Sequence, residues 1–102
     1  MHTSTTSTAI LEPWTVEQLQ QATQGHWFNG QAPQGDIKRI LTDSRHAEAG
    51  DAFLALKGER FDAHDFVKQV ATQGCQIAIV ERPVDADIAQ LIVKDTRLAL
   101  GQ

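Results

Sequence analysis

Two short runs without a polar side chain do most to restrict what this chain can fold into. They are Ala52-Phe53-Leu54-Ala55-Leu56 and Ile77-Ala78-Ile79-Val80. A strand that is apolar on both faces must be covered on both faces, which suits the centre of a parallel sheet. Between them, Phe66, Val67, Val70 and Ala71 fall on one helical face, and Lys68, Gln69, Thr72 and Gln73 take the other. Gly74 stands where a left-handed C-terminal cap belongs. The spacing predicts strand 52–56, helix 63–73 and strand 77–80. Together they make one βαβ unit with parallel strands and a right-handed crossover.

The remaining segments extend this unit into an α/β fold, a small mixed sheet with flanking helices. Thr15 is placed to cap a first helix, with Gln18 completing a capping box, Trp14 as a hydrophobic staple and Gly25 as the stop. Residues 26–29 read as a short strand, and Asn29-Gly30 followed by Pro33 and Gly35 as a loop. Residues 37–42 read as one strand, with Ile37, Arg39 and Leu41 on one face and Lys38, Ile40 and Thr42 on the other. Residues 84–89 form a polar loop before a third core strand, 91–93. Asp95 or Thr96 then starts a helix. Residues 1–12 are expected to be a disordered polar tail, 13–95 the folded domain, and 96–102 the start of a truncated helix leading to a further domain. A natural domain seldom ends in the first turns of a helix.

A chain of 102 residues suits one domain and leaves no room for a second, catalytic one. Its net charge of −4 provides no broad basic field, which sets aside nucleic acid and acidic membrane surfaces as partners. There is no apolar run of about 18 residues, hence no membrane span. The N-terminus lacks the basic and apolar regions of a signal peptide, which points to the cytoplasm. The lone Cys75 excludes an internal disulfide and, lying in an apolar stretch, reads as a buried side chain.

Two polar clusters stand at strand ends. Thr42, Asp43, Ser44 and Arg45 close the strand that carries Ile40 and Leu41, and Lys57, Gly58, Glu59, Arg60, Phe61 and Asp62 follow the run Ala52–Leu56. If the two strands are neighbours, the clusters meet at the loop-built edge where α/β folds bind ligands. They carry what a nucleotide needs. Hydroxyls of Thr42 and Ser44 and N–H groups around Gly58 donate to oxygens. Arg45, Lys57 and Arg60 supply positive charge for phosphate. Phe61 offers a stacking face and Asp62 an acceptor. Structural roles compete: Asp43 can pair with Arg45 or cap a turn, Phe61 can belong to the core, Asp62 and His64 can begin the helix, and Lys57 can be a solvated strand end. There is no phosphate loop, no Gly-x-Gly-x-x-Gly and no Gly-x-Ser-x-Gly elbow, and the four histidines show no metal spacing with Cys75. Catalytic and metal-binding residues are therefore not assigned. A hydrolytic trio of Asp43, Asp62 and His64 lacks a metal partner set.

Thr42-Asp43-Ser44-Arg45, then Gly50-Asp51-Ala52-Phe53-Leu54-Ala55-Leu56-Lys57-Gly58, then Phe61-Asp62-Ala63-His64-Asp65-Phe66 resembles the N-terminal domain of the Mur ligases of bacterial cell-wall synthesis. The resemblance extends over about residues 13–102, including the closing Val93-Lys94-Asp95-Thr96-Arg97-Leu98-Ala99-Leu100-Gly101. It implies a domain that holds the UDP end of UDP-N-acetylmuramoyl-tripeptide for an ATP- and magnesium-dependent ligase adding D-alanyl-D-alanine. The ATPase and C-terminal domains would lie beyond this chain, which itself would bind no cofactor. By the same resemblance Thr42 and Ser44 line the UDP pocket, and Glu59, Arg60 and Phe61 contact uracil, ribose or diphosphate. The alternatives are a member of the family with a different amino-acid substrate and a free-standing protein-interaction module.

Overall fold

The computed structural model describes residues 14–57 and 62–99. The expected tail at 1–12, the site candidates Gly58, Glu59, Arg60 and Phe61, and the last residues of the expected closing helix lie outside them. Strand β1 (Trp14–Thr15) leads into helix α1 (Val16–Thr23), followed by β2 (His26–Trp27), β3 (Asp36–Ile37), β4 (Arg39–Leu41), β5 (Asp51–Leu54), helix α2 (Val67–Thr72), β6 (Ile77–Val80) and β7 (Ala89–Ile92). The main sheet has the order β2-β7-β6-β5-β4, with β4 to β7 parallel and β2 antiparallel at one edge. β1 and β3 form a separate antiparallel pair.

The run Ile77–Val80 lies wholly inside the sheet, whereas the strand expected over 52–56 spans Asp51–Leu54 with Ala55 and Leu56 beyond its end; alternation sorts the side chains of both runs into two cores. Ala52, Leu54, Ile77 and Ile79 pack with Val16 and Leu19 of α1. Phe53, Ala55, Ala78 and Val80 pack with Val67 and Val70 of α2. The expected βαβ unit is thus β5–α2–β6, and Gly74 holds φ +93° at the end of its helix. Cys75 is buried. Removing its thiol from water pushes the pKa up to about 11.

Helix α1 carries the expected capping box: Gln18 N–H donates to the Thr15 hydroxyl at 3.0 Å, and Thr15 N–H to the Gln18 side chain at 2.9 Å. Its end differs from expectation. The left-handed residue is Gln24, at φ 58°. Gly25 serves instead where the backbone passes close to β7, because a Cβ there would lie 2.8 Å from the Ile92 carbonyl oxygen.

Three other expectations need correction. The strand expected over 37–42 is divided at Lys38, whose N–H donates to the Gly50 carbonyl at 2.8 Å. β3 joins β1 and β4 joins the main sheet, so the alternation slips. Ile37 and Ile40 face the α1 core, while Leu41 faces the α2 core. The third core strand begins at Ala89 rather than 91, because the polar Gln90 is buried there. Its amide accepts from Val84 N–H and donates to Val84 C=O, each at 2.7 Å. After β7, residues 96–99 form hydrogen-bonded turns rather than a helix, with Leu98 N–H on the Asp95 carbonyl and Ala99 N–H on that of Thr96. Thr96 is held inward there by Glu81.

At the opposite end of β4 and β5, Arg39 is the register partner of Asp51. The Asp51 carboxylate is fully buried and accepts from Arg39 Nε at 3.1 Å and from Glu48 N–H at 2.8 Å. That bond and the nearby charge raise the pKa of Arg39. Arg39→Met leaves a buried carboxylate without its cation. Because Arg39 is partly solvated, we expect a lowered urea midpoint with the chain still folding. An unchanged midpoint would show that the pair does not hold the register.

Candidate functional site

Because β4 and β5 are adjacent and parallel, their C-terminal ends open on one edge of the sheet. The Thr42-Asp43-Ser44-Arg45 cluster follows β4, and Lys57 follows β5 by three residues. Both predicted clusters therefore begin on the same edge, the usual place for ligands in such sheets.

The first cluster is shaped by Asp43. Its carboxylate accepts from Arg45 N–H at 2.9 Å, capping a 3-10 turn over Ser44–His46, and accepts from Arg45 Nε and Nη2 at 3.0 and 2.9 Å. These bonds, the side-chain one foremost, hold the Asp43 pKa down to about 2. Both structural roles considered for Asp43 are thus present. Gln73 of the α2 C-cap donates its amide to the carbonyls of Ser44 and Ala47, at 2.9 and 3.0 Å, tying the turn to the helix. Thr42, Asp43, Ser44, Arg45, Phe66 and Gln69 line a recess of 440 Å³. Ser44 is half-buried, and Thr42 and Arg45 are exposed.

Of the second cluster, Lys57 and Asp62 are described. They pair as an antiparallel bridge that closes the intervening loop. Lys57 is exposed. The Asp62 carboxylate is engaged on both oxygens. Oδ1 accepts from His64 N–H at 2.9 Å and contacts His64 Nδ1 at 2.6 Å, and Oδ2 accepts from Arg82 at 3.1 Å. The His64 backbone bond is the largest of the causes that keep its pKa down to about 2. Asp62 also caps the 3-10 turn Ala63–Phe66 that precedes α2, as its helix-starting role required. The lining of the 42–45 recess includes neither Lys57 nor Asp62.

From the sequence, Arg82, Gln69 and Gln73 receive no role at the site, and His64 is considered only as a helix start or in a hydrolytic trio. Arg82 follows the second apolar run much as Lys57 follows the first, so a cation just past a buried strand was the available signal. A larger recess of 680 Å³ lies at the opposite edge, lined by residues that include Phe28, Cys75, Asp85, Asp87 and Gln90. Its charged lining side chains are both carboxylates, which oppose an anionic ligand. Among the described residues, no three His, Cys, Asp or Glu side chains converge as a metal centre requires. Nor is there a phosphate loop in the sequence, so the chain's residues do not fit the triphosphate of ATP, and no step through ATP or magnesium is derived from them.

The acid response of Asp62 follows from its environment. Its folded pKa of about 2 lies below the unfolded value near 3.9, so the stability it contributes is full above about pH 4. That contribution is lost as pH falls through about 2. Asp62→Asn, which keeps an acceptor for His64, should lose less stability between pH 4 and 2 than the wild type does. Parallel urea midpoints for the two proteins across that window would contradict this.

The profile described as "Mur ligase family, catalytic domain" matches residues 36–101. The chain is 51% identical over 77 residues to the UDP-N-acetylmuramoyl-tripeptide–D-alanyl-D-alanine ligase of Escherichia coli, covering 74% of this chain and 17% of that protein. It is 41% identical over 66 residues to the UDP-N-acetylmuramoyl-L-alanyl-D-glutamate–2,6-diaminopimelate ligase of Aquifex aeolicus, covering 65% and 14%. The crystal structure of MurF from Acinetobacter baumannii superposes with a TM-score of 0.86 at 78% identity, covering 89% of this chain and 20% of that one. The chain thus spans between 14% and 20% of the length of these relatives.

Proposed function

The chain belongs to the Mur ligase family, and on that premise we propose that it holds the UDP end of UDP-N-acetylmuramoyl-tripeptide for an ATP-dependent ligase that adds D-alanyl-D-alanine. The observation that carries this reading is the parallel pairing of β4 with β5, which starts both polar clusters on one sheet edge. The identities to D-alanyl-D-alanine ligases, 51% and 78%, support this member of the family over the diaminopimelate-adding one, at 41%.

In this reading Thr42 and Ser44 donate hydroxyls to the nucleotide from the 440 Å³ recess. Arg45 and Lys57 bring positive charge, Arg45 already oriented by Asp43. Gly58, Glu59, Arg60 and Phe61 are the further candidates for contact with the nucleotide, Phe61 as a stacking side chain for the base. Asp62 acts mainly by closing that loop, since His64 and Arg82 occupy its oxygens.

The domain's contribution to the reaction is anchoring. Binding energy gathered at the remote nucleotide positions the peptide carboxylate for chemistry performed elsewhere. ATP and magnesium, when bound by the parent enzyme, supply carboxylate activation; the residues for that step, and for receiving the dipeptide, belong to other domains of the parent chain. The reaction takes place in the cytoplasm, and no helix among the described residues is long and apolar enough to cross a membrane.

Ser44→Ala in the full-length ligase tests the site. Loss of one hydrogen bond to the nucleotide should raise its KM about three- to tenfold and leave the KM for ATP nearly unchanged. Equal rises for both substrates would contradict the assignment. The 102-residue chain alone, given ATP, tripeptide nucleotide and D-alanyl-D-alanine, should release no phosphate above background.

A further inference from the structure

His64 is a titratable side chain that the nucleotide reading leaves without a role. It is 2% exposed, and each ring nitrogen meets a different segment. Nε2 accepts from Glu81 N–H at 2.9 Å, at the end of β6. That donor assigns the ring proton to Nδ1, which donates to Asp62 Oδ1 at 2.6 Å. The ring therefore joins the residue that closes the loop after β5 to the first residue beyond β6. The chain of bonds continues across the sheet edge. Glu81 Oε2 accepts from Thr96 N–H at 2.9 Å and from the Thr96 hydroxyl at 3.1 Å, in the turn after β7. Thr96 is 1% exposed, so this end is as firmly enclosed as the ring.

We propose that His64 is a positioning residue for the nucleotide site. It fixes the Lys57–Asp62 closure against the end of β6, and Glu81 and Thr96 extend that hold to the turn after β7. The proposal rests on the nucleotide reading above and adds to it a set of residues that touch no ligand. Helix capping alone does not account for the arrangement, because the Asp62 cap uses His64 N–H and would stand with any side chain at position 64. The ring bonds are additional, and they are long-range on the Glu81 side.

The two ring contacts separate by substitution. In His64→Asn the amide nitrogen takes the place of Nδ1 and reaches Asp62 but not Glu81. In His64→Gln the amide oxygen takes the place of Nε2 and reaches Glu81, leaving Asp62 without the ring. Each variant of the 102-residue chain should bind UDP at least fivefold more weakly at a temperature where it is fully folded, and should shift the amide resonances of Lys57 and Asp62. Val67→Ala, a cut in the α2 core, is the stability control. It should lower the unfolding midpoint yet keep UDP affinity within twofold. Glu81→Ala frees Thr96 while retaining the Glu81 N–H, and should move the same Lys57 and Asp62 resonances at lower structural cost. Unchanged Lys57 and Asp62 resonances in the His64 variants, or an equal loss of affinity in Val67→Ala, would overturn the positioning role. Absence of UDP binding by the wild type, with those resonances still moving, would overturn the nucleotide reading and leave the hold on the loop standing.

Discussion

The pairing of Arg39 with Asp51 is the constraint on which the rest of the edge depends. The two residues are register partners across β4 and β5, and Asp51 is wholly removed from water. A buried carboxylate without its cation is costly, so a slip of one residue between these strands is strongly disfavoured. Arg39 also donates to the His46 carbonyl at 2.7 Å, and Asp51 accepts from Glu48 N–H, so the same pair shapes the return from β4 to β5. With this end fixed, the residues after Leu41 and those after Leu54 leave their strands on the same sheet edge. The two clusters have no choice of edge.

The C-terminal edge is then secured strand by strand with side-chain hydrogen bonds rather than by a helix. Gln73 holds the turn after β4, His64 and Arg82 hold the closure after β5, and Glu81 holds the turn after β7. Each of these polar side chains ties its own connection to that of a neighbouring strand. The described residues of an edge built this way are held in place by the chain itself, which would reduce the ordering cost of binding a ligand there.

Much of this fold was legible because the apolar runs are long enough to leave one reading. Residues 52–56 and 77–80 alternate nothing, and between them Val67, Val70 and Gly74 mark a helix with its stop. The capping box at Thr15 and Gln18 was equally plain, since it is local. What escaped depends on contacts distant in sequence. Nothing near Lys38 announces that its N–H will bond Gly50 and divide a strand. Gly25 has the look of a helix stop, and its close approach to Ile92 appears only once β2 lies beside β7. Gln90 conceals a strand because its partner, Val84, lies in the preceding loop. At the site, the Asp43-Ser44-Arg45 turn was readable from residue types alone, whereas His64 and Arg82 acquire their roles from β6.

The central claim, that the residues after β4 and those after β5 serve one nucleotide, is tested most directly by titrating the isotopically labelled chain with UDP and following its backbone amides. The account predicts saturable shifts at Thr42, Ser44, Arg45, Lys57 and Asp62 with a common affinity, and none at Asp85, Asp87 or Gln90 on the opposite edge. Shifts confined to the opposite edge, or different affinities for the two clusters, would contradict it.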